Sequence, residues 1–109
     1  MTRGIPSATR PAVLERVRAL VCRALAGHPA EVYLFGSWAR EAAGSASDID
    51  IAVDAATPLP TGLLARLREA LEESTVPYRV DVVDLAEADA SFRARIRREG
   101  VRWSVSENA

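Results

Sequence analysis

Asp48-Ile49-Asp50-Ile51-Ala52-Val53 (DIDIAV) alternates acidic and apolar side chains with period two at its start. In an extended strand Ile49, Ile51 and Val53 share one face, and Asp48 and Asp50 share the other. The spacing predicts a strand with one buried face. Two carboxylates one pleat apart repel, and one tends to take up a proton unless a cation sits between them. Taken alone, such a pair more often marks a solvated strand face than a site.

Two neighbouring stretches change that balance. Upstream, residues 31–35 (EVYLF) form a short β-rich run that ends at Gly36-Ser37. A short helix is expected over residues 37–43, followed by a small-residue loop at 44–47. Glycine lets backbone approach a ligand closely. Amide groups at a helix start, with the Ser37 hydroxyl, suit a phosphate. Arg40, one turn on, adds a guanidinium to the same anion. The plainer alternative is an ordinary strand-to-helix turn with a serine cap. Downstream, residues 78–85 (YRVDVVDL) read as another strand carrying Asp81 and Asp84. Their parity is opposite, so only one can share a face with Asp48 and Asp50. Val80 and Val82 read as core-facing. That turns Asp81 to the carboxylate side and leaves Asp84 at the strand's exit, so Asp81 is favoured. Three carboxylates from two neighbouring strands can hold two Mg²⁺ ions about 3.5–4 Å apart around an in-line phosphoryl displacement. Mg²⁺ takes carboxylates together with substrate phosphates.

The rest of the chain supplies a frame. Val13, Leu14, Val17, Leu20, Val21, Ala24 and Leu25 recur at helical spacing between Pro11 and Gly27. Residues 57–61 are a proline-marked connection. Leu63, Leu64, Leu67 and Leu71 line one face of a helix expected over 62–73. A last helix is expected over 90–99, stopped by Gly100, with a possible terminal strand over 101–105. This order predicts an α/β (α+β) domain, a small mixed β-sheet with flanking helices. The expected organisation is a loose arm at 1–9, a single domain at 10–105 and a short tail at 106–109. At 109 residues and 49% hydrophobic, the chain has the size and apolar content of one domain with one modest core.

Composition removes several chemistries. All 14 basic residues are arginine, which excludes the lysine of a P-loop and any lysine Schiff base. One cysteine (Cys22) and one histidine (His28) exclude an internal disulfide, a multi-cysteine zinc site and a histidine cluster. Metal chemistry would rest on carboxylates and favour a hard ion. The formal charge of −1 gives no bulk attraction to nucleic acid, and no direct sequence-specific nucleic-acid binding is expected. No apolar run approaches a membrane span. The lone cysteine fits a reducing, cytoplasmic setting.

The stretch GSWAREAAGSASDIDIAV, Gly36 to Val53, resembles the signature of the DNA polymerase β-like nucleotidyltransferase superfamily: a hydrophobic residue, Gly-Ser, about ten residues, then Asp-x-Asp among hydrophobic neighbours. Ten residues, Trp38 to Ser47, separate Ser37 from Asp48 here. VDVVDL resembles the strand of the third carboxylate. The short length, the GSxAR form and the IRREGVRW ending most resemble the minimal nucleotidyltransferase (MNT) branch, whose members are typically paired with a HEPN-domain protein in a toxin–antitoxin system. Glu41 departs from the glycine usual in that branch after the arginine. The resemblance implies the polymerase β-like fold and a role for each candidate residue. Gly36 and Ser37 would hold the β- and γ-phosphates of a nucleoside triphosphate, helped by Arg40. Asp48 and Asp50 would bridge two Mg²⁺ ions. Asp81 would hold the ion at the acceptor hydroxyl and serve as its base.

The same resemblance implies transfer of AMP from ATP to a hydroxyl, a tyrosine of the HEPN toxin, so that the chain acts as its antitoxin. The alternative is a non-catalytic antitoxin or binding module that neutralises its partner by association. A small-molecule nucleotidyltransferase acting on an antibiotic is a weaker third reading, because no substrate-binding helical domain is present in the sequence given. Outside the motif, His28 reads as a helix-end residue and Cys22 as packed. Trp38 could stack on a base or could be a core or partner-facing residue. Trp103 reads as a core lid. Arg93, Arg95, Arg97, Arg98 and Arg102 scatter around a helix axis and read as a solvated or partner-facing run.

Overall fold

The computed structural model describes residues 10–40 and 48–104. The expected arm at 1–9, the loop at 44–47 and the tail at 106–109 lie outside the described residues. Helix α1 runs Arg10–Ala24 and buries Val17 and Val21. The chain turns out of it through Gly27, at a φ of 83° that only glycine adopts without strain. Strand β1, Ala30–Phe35, leads directly into the four-residue helix α2, Gly36–Ala39. Strand β2, Ile49–Ala55, is followed by α3, Leu63–Glu72. Strand β3, Val80–Asp84, passes into a 3₁₀ turn, Leu85–Glu87. Helix α4, Ala90–Glu99, and strand β4, Val101–Ser104, complete the order.

The four strands form one mixed sheet in the order β3-β2-β1-β4. β1 pairs antiparallel with both β2 and β4. β2 and β3 run parallel, which a tight turn cannot achieve; α3 provides the crossover. The expected small mixed sheet with flanking helices is therefore the observed architecture. Its strand β3 is shorter than the expected 78–85. Pro77 cannot donate to a ladder, and Leu85 starts the 3₁₀ turn capped by the Asp84 carboxylate.

Period two sorts the side chains onto two faces. Val32 and Leu34 of β1, Ile49, Ile51 and Val53 of β2, and Val82 of β3 meet Val17 and Val21 of α1 and Leu63, Leu67 and Leu71 of α3. Each such side chain contributes about 1.5–3 kcal/mol by leaving water. Cys22 and Trp103 pack against this core as expected. The other face is smaller: Tyr33, Ala52, Leu85 and Ile96 are buried there, with Phe35, Val83 and Phe92 against them. Helix α4 covers that face. Arg97 holds it down with a two-pronged pair to Asp54 of β2, at 2.8 and 3.0 Å. Arg93 donates to the carbonyls of Leu85 and Ala88. Two of the five C-terminal arginines thus fasten α4, Arg97 to the sheet and Arg93 to the 3₁₀ turn, rather than facing a solvated surface freely.

Candidate active site

The parallel register pairs Asp50 of β2 with Asp81 of β3. Side chains in register on neighbouring strands share a face about 4.8 Å apart. The Ile49 N–H donates to the Arg79 carbonyl at 2.9 Å and pins the start of β2 to the approach of β3. Asp48, one pleat before Asp50, lies at the same end of the sheet, with its Oδ2 4.0 Å from the Arg79 Nε. The three carboxylates feel one another. The Asp50 carboxyl is pushed above the usual carboxylate range, first by burial, then by the negative charge of Asp81, then by that of Asp48. Asp48 and Asp81 are exposed and Asp50 is half-buried, so the group opens to solvent on one side.

Asp84 is used differently. Its Oδ1 accepts the Ala86 N–H at 3.0 Å and caps the 3₁₀ turn. It pairs in register with Val53, at the opposite end of β3 from the Asp50–Asp81 row. The opposite parity of Asp81 and Asp84, with Val82 buried between them, separates the two as expected from the sequence.

The Gly-Ser pair meets the carboxylates through Gly36. Phe35 is the register partner of Asp50, so the chain leaving β1 turns directly over that side chain. Gly36 has a φ of 76°. A Cβ there would overlap Asp50 Oδ2 and lie 3.3 Å from its carboxyl carbon. Only glycine satisfies both the backbone and the space. Phe35 occupies the cap position of α2, and no side chain caps that helix. Ser37 is therefore inside the first turn, half-buried, and is not the serine cap of the plainer alternative. Arg40 stands at the C-terminal end of α2 with its N–H donating to the Gly36 carbonyl at 3.3 Å. Its side chain is exposed and, among the described residues, makes no hydrogen bond or ion pair. The structure thus brings Gly36, Asp48, Asp50 and Asp81 to one corner, with Ser37 beside them and Arg40 at its margin. Glu41 and the rest of the expected helix at 41–43 lie outside the described residues.

Trp38 is a core residue. It is 1% exposed, makes an edge-on contact with Tyr78 at 5.3 Å, and lies under the Arg10 guanidinium at 4.6 Å. Base stacking on Trp38 is therefore set aside; its ring closes the core beneath the Gly-Ser turn. Sequence reasoning overlooked Arg79. Its signal was available: it stands two residues before Asp81, hence on the same side of β3.

The donor set suits a hard divalent ion. All three donors are carboxylates, and a cation would relieve the repulsion that lifts Asp50. As they stand, no group of three or more His, Cys, Asp or Glu among the described residues is drawn in closely enough to hold one. No helix among the described residues is long and apolar enough to cross a membrane.

A family model described as polymerase beta, nucleotidyltransferase matches residues 24–103. The chain belongs to the polymerase β-like nucleotidyltransferase family. That span of the chain holds Gly36, Ser37, Arg40, Asp48, Asp50 and Asp81. The chain is 40% identical over 67 residues to the probable protein adenylyltransferase MntA of Haemophilus influenzae, a match covering 62% of this chain and 59% of that protein. It therefore spans less than two-thirds of that relative's length. It also resembles the crystal structure of a toxin–antitoxin with AMP-PNP: TM-score 0.64, 28% identity, 84% of this chain and 76% of the other. A third similarity is to the complex of tri-AMPylated Shewanella oneidensis HEPN toxin with its MNT antitoxin: TM-score 0.58, 27% identity, 87% of this chain and 72% of the other.

Proposed function

We propose that this chain transfers AMP from ATP to a hydroxyl, a tyrosine, of a partner HEPN toxin, and so acts as its antitoxin. One observation carries the reading: Asp50 sits in register beside Asp81 and directly under Gly36, with Asp48 one pleat away. A glycine turn packed on a row of carboxylates brings backbone amides and metal-ligating oxygens together, which is what a nucleotidyl transfer needs. The likeness to a protein adenylyltransferase, to a toxin–antitoxin with AMP-PNP and to an AMPylated toxin complex supports both the donor and the acceptor class.

The roles are those the family resemblance implies. Gly36 lets the backbone close on the β- and γ-phosphates, and the Ser37 hydroxyl donates to them. Arg40, exposed at the end of α2, adds charge to the same anion. Asp48, Asp50 and Asp81 would hold two Mg²⁺ ions, which neutralise the phosphates and lower the pKa of the attacking hydroxyl. Asp81, exposed on the outer strand β3, would receive the acceptor's proton; its exposure supports this. Electrostatic positioning does most of the work in such transfers, so the loss of the carboxylates should be severe.

The test compares toxin neutralisation in cells by the wild-type chain and by Asp48→Ala/Asp50→Ala. The catalytic reading expects the double variant to lose neutralisation while still being made and folded. Retained neutralisation would overturn it in favour of an antitoxin that works by covering its partner.

A further inference from the structure

We propose that Arg79 is a nucleotide-phosphate ligand, held in place by Asp48 until divalent ions occupy the carboxylates. The proposal rests on the nucleotidyltransferase reading and adds a residue to that site. Register places Arg79 across from Asp48 just as Asp81 lies across from Asp50, since Ile49 pairs with Val80. The corner thus holds three carboxylates and one guanidinium in two adjacent rows.

The contact Arg79 makes is a weak one. Its Nε is 4.0 Å from Asp48 Oδ2, the two side chains being 76% and 48% exposed. Other arginines are committed by comparison. Arg97 grips Asp54 with two nitrogens, Arg93 donates to two carbonyls, and Arg68 donates to the Val82 carbonyl at 2.8 Å. Among the described residues the Arg79 side chain makes no hydrogen bond, so its planar fork is not engaged. Exposed ion pairs of this kind contribute little to stability. A guanidinium that contributes little to stability, beside carboxylates proposed to hold the ions of a nucleoside triphosphate, is available to the ligand. When cations take Asp48, its carboxylate no longer attracts the guanidinium. The fork then turns to the incoming phosphate oxygens, which it matches in geometry and charge.

Removing Arg79 therefore has two effects of opposite sign. Divalent ions lose a competitor for Asp48 and bind more tightly alone. The triphosphate loses a ligand and binds more weakly in their presence. The experiment is calorimetric titration of the full chain and of Arg79→Gln, first with Mn²⁺ alone and then with AMP-PNP at saturating Mn²⁺. Arg79→Lys serves as the conservative variant, and thermal melting checks the fold. The expected result is a Kd for Mn²⁺ lowered about 2–5-fold and a Kd for AMP-PNP raised about 10-fold, with Arg79→Lys between and Tm unchanged. Unchanged AMP-PNP binding in Arg79→Gln would overturn the role of Arg79 alone. Weakening of both ligands with a lowered Tm would also overturn it, as a structural effect. A wild-type chain that binds no AMP-PNP would overturn the nucleotide reading itself.

Discussion

Burial, Asp81 and Asp48 each raise the proton affinity of Asp50, in that order. A carboxyl whose pKa is higher in the folded chain than in the unfolded one favours folding when protonated. Its ionised form lowers stability at pH values above both pKa values, and the penalty disappears below the unfolded value. Asp50→Asn keeps the shape under Gly36 and removes the charge. The expected outcome is a higher Tm than wild type at pH 7 and a gain that vanishes near about pH 3, read by thermal denaturation without metal. The same change should abolish transferase activity, so stability and function move in opposite directions at this residue. An equal Tm shift at both pH values would show that the carboxylates do not repel one another. The glycine over Asp50 was legible as a close-approach residue because Gly-Ser follows a β-rich run. That its hydrogen faces the Asp50 carboxylate was not legible, because it depends on a pairing between β1 and β2.

Strand β3 shows how far a local pattern reaches. Alternation in VDVV places Asp81 opposite Val80 and Val82, and that alone foretold which acid of β3 lies beside Asp50. The parallel partnership of β2 and β3 was not visible in either strand, since register is set by contacts across the whole of α3. Trp38 stayed ambiguous for a similar reason: the core beneath it comes from α1 and Tyr78, both distant in sequence. The two acids of β3 should separate cleanly in kinetics. Asp81→Ala is expected to lower AMP transfer on the order of 100-fold or more with little change in Tm. Asp84→Ala removes the cap of the 3₁₀ turn, which costs about 1 kcal/mol, or roughly 4–8 °C in Tm, and leaves most activity. Equal activity losses would show that the parity of β3 does not decide which acid reacts.

Across the whole molecule the sheet divides structural from chemical work. Helices α1 and α3 close one face, and α4 closes the middle of the other through Phe92 and Ile96. The Phe35–Phe92 contact, edge-on at 5.8 Å, borders the end of the sheet where Phe35 pairs with Asp50 near the start of β2. Among the described residues the acidic corner is therefore open at one end of the second face, where an acceptor side chain from another protein can approach. Family membership and the likeness to toxin–antitoxin complexes agree with an acceptor that arrives on a partner. The most direct measurement is the intact mass of the partner HEPN toxin after incubation with ATP, Mg²⁺ and either the wild-type chain or Asp48→Ala/Asp50→Ala. The account predicts one or more added AMP units with wild type and none with the double variant. An unmodified toxin with wild type, or an equal adduct with both proteins, would contradict it.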